Sequence, residues 1–132
     1  MNRIVAHFLD GQILKGFTND FLPTRDHFHL TGEGQPSGAK PREVRCAELK
    51  ALFFVKTFEG DPRHHELTDP AAGKLAPGRR IRVVFQDGEV LVGTTQGYDR
   101  SRPGFFVVPV DPQSNNERCF VVAAATREVS FL

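Results

Sequence analysis

Ile4-Val-Ala-His-Phe-Leu-Asp-Gly-Gln-Ile-Leu-Lys-Gly-Phe-Thr18 and Ile81-Arg-Val-Val-Phe-Gln-Asp-Gly-Glu-Val-Leu-Val-Gly-Thr-Thr95 are one phrase written twice, F-x-D-G-x-x-L-x-G-x-T. Its hydrophobic period is two, the period of a β-strand. Ile4, Ala6 and Phe8 share one face, as do Ile81, Val83 and Phe85, while His7 and Val84 point away. Asp10-Gly11 and Asp87-Gly88 supply the left-handed backbone of a tight hairpin turn. Gly16 and Gly93 then sit inside the returning strand. Glycine weakens a strand there and marks a sharp bend or a close backbone approach.

The likeness runs further than the hairpin. An offset of 77 residues sets Arg3–Val55 on Arg80–Leu132 without a gap. Beyond the phrase itself, the identical pairs include Arg25/Arg102, Phe28/Phe105, Ser37/Ser114, Val44/Val121, Ala47/Ala124 and Phe54/Phe131. An internal duplication is the simplest account. Five strands are expected in each copy. After the hairpin come His27–Thr31, Glu43–Cys46 and Ala51–Val55, matched by Gly104–Val108, Phe120–Ala123 and Glu128–Leu132. Ala47–Lys50 and Ala124–Arg127 are expected as short turns, one turn of 3₁₀ helix each. Residues 1–55 are therefore the first repeat and 80–132 the second. The Pro/Gly-rich stretch 56–79 between them is a connector, since its prolines and glycines exclude a long helix.

The D-G turn followed by L-x-G, at Asp10–Gly16 and Asp87–Gly93, resembles the opening of Sm-like and other SH3-like small barrels. The resemblance implies an all-β chain of two tandem five-stranded SH3-like (Sm-like) barrels, here expected as a pseudo-twofold pair. It would imply RNA binding and ring assembly only with the Sm contact motifs. Those positions read Asn19-Asp-Phe-Leu22, Gln96-Gly-Tyr-Asp99, Ala47-Glu-Leu-Lys50 and Ala124-Ala-Thr-Arg127, which differ from them. The whole chain also resembles an uncharacterised bacterial domain family. Phe8–Phe17, Leu49–Phe58 with Glu59-Gly-Asp-Pro62, Pro103–Phe106 and Asp111–Arg118 carry that likeness. It brings no activity with it.

Composition narrows the function classes. Lys plus Arg is 17 against 16 for Asp plus Glu, for a net charge of +1. A protein that binds nucleic acid by bulk phosphate neutralisation would be far more basic. No apolar run approaches the roughly 18 residues that span a bilayer, and no leader-like apolar stretch opens the chain. A cytoplasmic setting without a membrane partner is the expectation. Cys46 and Cys119 occupy non-equivalent places and are expected free, as buried thiols in strands. Twelve Phe residues supply a core in the absence of Trp. Phe17, Phe21, Phe53 and Phe106 fall opposite that core and are candidates to fill an interface between the copies.

The candidate binding residues lie in the loops. Arg25 and Arg102 hold the same loop position, with Tyr98, Asp99, Arg100 and Ser101 beside the second. Guanidinium groups with a tyrosine ring suit an anion on a stacking platform. The bland alternative is a structural arginine bonded to loop carbonyls, or paired with Asp26 or Asp99. Asp99-Arg-Ser-Arg-Pro-Gly104 matches D-x-S-x-x-G, half of the cyclic-dinucleotide motif of PilZ domains, but the R-x-x-x-R half is missing. His27 and His29 share a strand face and His64-His65 lies in the connector, without zinc-site spacing. Ser114-Asn-Asn116 is a polar loop, either a recognition loop or a self-bonded turn. No nucleophile, acid–base pair, metal set or cofactor motif stands out. The expectation is a non-catalytic binding module for a protein partner or small ligand, of open oligomeric state. The alternative is nucleotide or RNA binding through the Arg25/Arg102 loops.

Overall fold

The computed structural model describes residues 1–36, 39–60, 77–111 and 113–132. Within them the chain is all-β. The strands are β1 (Asn2–Phe8), β2 (Ile13–Thr18), β3 (His27–Gly32), β4 (Arg42–Arg45) and β5 (Leu49–Val55), then β6 (Arg79–Phe85), β7 (Val90–Thr95), β8 (Gly104–Pro109), β9 (Asn116–Val122) and β10 (Thr126–Phe131). The helical content is two 3₁₀ turns, Cys46–Glu48 and Ala123–Ala125, each placed just before the last strand of its half. Ser37, the two connector histidines and Leu67 lie outside the described residues.

All ten strands pair antiparallel in one open sheet, in the order β10-β6-β7-β8-β9-β5-β1-β2-β3-β4. Each pairing in the first half recurs 77 residues on. Ile4 faces Gly16 and Ile81 faces Gly93, Ile4 faces Phe54 and Ile81 faces Phe131, and Phe28 faces Val44 as Phe105 faces Val121. The loop bonds recur as well. Gly11 N–H donates to Phe8 O at 3.1 Å and Gly88 N–H to Phe85 O at 2.9 Å, closing the two D-G turns. Gly11 and Gly88 have φ of +91° and +92°, the region the turn requires and other residues avoid.

The strand glycines are explained by close approach. A β-carbon on Gly16 would collide with Thr31 O, and one on Gly93 with Val108 O. β2 and β3 share only the pairs Gly16–Gly32 and Phe17–Thr31, and β7 and β8 only Gly93–Pro109 and Thr94–Val108. The strands approach most closely at these short ladders, and a side chain there would hold them apart. The alternating faces behave as expected: Ile4, Ala6, Phe8, Ile81, Val83 and Phe85 are all buried.

The halves do not meet about a twofold axis. A twofold join sets equivalent strands against each other. Here β5, the fifth strand of the first half, pairs with β9, the fourth strand of the second, from Ala51–Val121 through Val55–Asn116. The join is head to tail. It leaves β4 and β10 as the two edges of the sheet. β9 accordingly begins at Asn116, four residues before the sequence pattern starts it, because its first residues pair with β5 across the join.

Side chains lock the join from both directions. Phe21 packs edge-on against Phe28, Phe106 and Phe120, and Phe54 lies 5.8 Å away. Three of the four phenylalanines expected at an interface are at the join: Phe21 and Phe106 by these ring contacts, and Phe53, which faces Cys119 across it. Phe17 packs on Phe58 and Phe53 on His7. Arg118 lies over both Phe54 and Phe106, at 4.3 and 4.7 Å from the ring centres.

At the other end Lys50 Nζ reaches Asp87 at 2.8 Å and Glu89 at 3.0 Å, with only 11% of its side chain exposed. Burial disfavours the Lys50 charge, but the two carboxylates outweigh it and raise its pKa. The hydrogen bond from Lys50 holds the Asp87 carboxyl below its ordinary value. Lys50→Met is expected to lose about 1 kcal/mol at pH 7 in urea unfolding. Because the folded Asp87 pKa is depressed, that stabilisation is present above about pH 4 and fades as pH falls through the folded value. The wild-type and variant curves should therefore converge in acid; a constant gap down to low pH would show that Lys50 acts by packing alone.

Candidate functional site

The head-to-tail join brings two equivalent loops to one place. The loop between β2 and β3 turns at Leu22–Arg25, where Arg25 N–H donates to Leu22 O at 3.1 Å. The loop between β7 and β8 turns at Asp99–Arg102 with the same bond and the same length. Each is then tied to the 3₁₀ turn of its own half. Cys46 N–H donates to Asp26 O at 2.8 Å, and Ala123 N–H to Pro103 O at 2.9 Å.

Between these four pieces lies a cleft of about 450 Å³. Pro23, Thr24, Arg25 and Asp26 come from one loop, and Arg102 and Pro103 from the other. Cys46 and Ala47 come from the first 3₁₀ turn and Ala123 and Ala124 from the second, with Phe120 and Val122 of β9 completing the lining. A second hollow of about 630 Å³ shares Pro23, Thr24, Arg102, Pro103 and Phe120 with it, and continues over Phe105 and Phe106 to Gln96 and Gly97. The size suits a ligand or a few residues of peptide.

Arg25 and Arg102 therefore line one cleft. Among the described residues neither guanidinium makes a side-chain hydrogen bond or a close ion pair, although the Arg102 charge acts on the Asp99 carboxylate of its own turn. The carboxylates that the sequence offers them are engaged elsewhere. Asp26 meets His27 Nδ1 at 2.7 Å, and that hydrogen bond holds its carboxyl below the ordinary range. Asp99 accepts from Ser101 N–H at 2.9 Å and Ser101 Oγ at 2.8 Å, which lowers its pKa likewise. The Asp-x-Ser string is thus a turn bonded to itself.

The other predicted site residues stand apart from the cleft lining. The Tyr98 ring packs edge-on against Phe105 at 4.9 Å and Phe131 at 5.5 Å, joining the satellite of the core. Asp99, Arg100 and Ser101 are exposed on the outer side of their turn. Ser114-Asn-Asn116 is a clamp. Asn115 Oδ1 accepts from Thr57 N–H at 3.1 Å, and its Nδ2 donates to Thr57 O at 2.8 Å. This peptide-like pair fastens the start of the connector to the second half.

The histidines face aspartates. His29 Nδ1 lies 2.7 Å from Asp20 Oδ2, and Asp20 also accepts from His29 N–H and Thr18 Oγ1. Burial pushes the Asp20 carboxyl up, but these bonds outweigh it and leave its pKa lowered. His27 and His29 stand 6.0 Å apart between ring centres. Among the described residues no group of three or more metal-type ligands gathers.

Chemically the cleft suits recognition. Burial raises the Cys46 thiol, whose S–H points to Arg25 O at 3.7 Å, and raises buried Cys119 much further. Neither is a thiolate at neutral pH. Sequence reasoning missed the walls: Ala47, Ala124, Pro23, Pro103 and Phe120. One signal for them was available, because Ala47/Ala124 is an identical pair at an otherwise variable turn.

A family model described as "Family of unknown function (DUF6982)" matches residues 1–132. Neither a curated protein nor a solved structure gives a match to the chain.

Proposed function

We propose that this chain, which belongs to that family over its whole length of 132 residues, is a non-catalytic binding module whose site is the cleft between its halves. The family fixes no activity, so the reading rests on the cleft itself. Its carrying observation is that two arginines 77 positions apart in the sequence, at the same place in the same turn, line one apolar hollow with guanidinium groups that make no hydrogen bond or close ion pair among the described residues. In a cell that has a reducing bacterial cytoplasm, such a module serves a protein partner or a small ligand. We further read the halves as tandem SH3-like small barrels that arose by duplication. The recurrence of the strand registers, the D-G turns and the Leu22–Arg25/Asp99–Arg102 turns at one offset supports this reading.

Nucleotide or RNA binding is the second reading, and these two guanidiniums are the observation in its favour. The local charge suits phosphate, although the net charge of +1 supplies no broad basic field.

Ala124→Phe tests the site directly. Ala124 is exposed and lines the cleft, so a phenyl ring there fills the hollow without entering the core. Affinity capture with the wild type, with A124F and with the remote exposed control Glu33→Ala is expected to lose the same bound species only with A124F. Equal recovery by all three proteins, or recovery of nothing at low salt, would remove the cleft as the site.

A further inference from the structure

The cleft combines a lining and a rim that select different parts of one ligand. Apart from the rim, its side chains are the methyls and rings of Ala47, Ala123, Ala124, Val122, Phe120 and the two prolines. The polar exceptions are few. The Cys46 S–H is given to Arg25 O, and the Thr24 hydroxyl lies on the loop. The charged groups that face the cleft are Arg25, Arg102 and Asp26, and Asp26 is paired with His27. A ligand entering here meets two guanidinium groups on separate loops, neither of them hydrogen-bonded among the described residues, and an apolar floor.

We infer, resting on the cleft as the site, that its occupant is an acidic peptide segment: an apolar side chain seated against Phe120 and the alanines, with flanking carboxylates on Arg25 and Arg102. Arginine forks match carboxylates in two-point hydrogen bonds that are stronger than neutral ones. A nucleobase fits this lining poorly. Its ring nitrogens and exocyclic groups would be buried against methyl groups, and an unpartnered polar group costs about 1–3 kcal/mol there. An aliphatic or phenyl side chain has no such groups to satisfy. The prolines on both loops keep the walls in place before binding, which limits the ordering cost of association. The adjoining hollow over Phe105 and Phe106 gives the peptide a continuation beyond its anchor.

A random heptapeptide library displayed on phage, selected on the full chain, reads the chemistry without presuming a partner. The enriched sequences should share one Leu, Ile, Phe or Met residue with Asp or Glu on either side. A fluorescein-labelled copy of the consensus peptide should then bind saturably. Its affinity should fall roughly tenfold or more with the R25A/R102A double variant, and several-fold between about 50 and 500 mM NaCl. It should also be lost with A124F. Circular dichroism checks that the variants, all at exposed positions, remain folded.

The failures separate cleanly. Peptides that depend on A124 but carry no acidic residues would overturn the acidic chemistry and leave the cleft as a site. Peptides indifferent to A124F would overturn both, as would no enrichment over the R25A/R102A/A124F triple variant. Displacement of the labelled peptide by ATP, cyclic di-GMP or oligouridylate at micromolar concentration would transfer the cleft to nucleotides instead.

Discussion

Gly93→Ala is expected to lower the free energy of unfolding by about 3 kcal/mol or more, a large part of the stability of a chain this size. The added carbon would fall on Val108 O and within 2.7 Å of Val107 Cγ1, and both neighbours are fixed. Val107 is fully buried, and Val108 O belongs to the strand that crosses β7. Relief would require β7 and β8 to move apart at a ladder only two pairs long, which opens the fold of the sheet. Gly88→Ala serves as the control. Its φ of +92° makes alanine unfavourable, but nothing lies within 4 Å of the new carbon. That backbone cost is about 1–2 kcal/mol. Urea unfolding of G93A, G16A and G88A should therefore rank the two strand glycines well above the turn glycine. A G93A loss of no more than 1 kcal/mol would show that the close approach is not needed to hold the sheet.

These glycines also mark how much was legible beforehand. Their place inside a strand, in both copies, already implied a bend or a close approach, and the strand faces followed from period two. The way the halves join was legible too, in a signal that the likeness of the two halves masked. β5 ends in Ala51-Leu-Phe-Phe-Val55 and β9 in Cys119-Phe-Val-Val122, continuous apolar runs of the kind buried on both faces. Their counterparts β10 and β4 read Thr126-Arg-Glu-Val-Ser-Phe131 and Arg42-Glu-Val-Arg45. Charged, short strands of that type guard sheet edges. Comparing counterparts by hydrophobicity, rather than by identity, would have named β5 and β9 as the seam and excluded a twofold pair. The cleft was harder. Arg25 and Arg102 were visible as a pair, yet nothing in their spacing says that a head-to-tail join sets one loop against the other. Tyr98 was drawn into the site by being the sole tyrosine, whereas its neighbours Phe105 and Phe131 claim the ring for the core.

Phe120→Ala should show whether the halves are one folding unit. Phe120 is 2% exposed, faces Leu52 across the seam and Phe106 within its own half, and meets the ring of Phe21 at 5.1 Å. Gly104 lies against the same ring, since a β-carbon there would come within 2.6 Å of Phe120 Cε2 as well as 2.5 Å of Val121 O. Truncating a phenylalanine so enclosed costs about 3–5 kcal/mol. The loss falls on contacts that belong to both halves, so the whole chain should unfold in one transition at lower urea, with its cooperativity unchanged. Phe120→Leu should recover about half of the loss while leaving the cleft floor apolar. Two separate transitions in F120A, one near the wild-type midpoint, would mean that each half is stable alone and that the seam merely tethers them. The cleft would then be a hinge between two independent bodies, and its loops could not hold Arg25 and Arg102 at a fixed separation for a ligand. A single transition keeps the two arginines in one rigid frame, which recognition of a segment with charges at a set spacing requires.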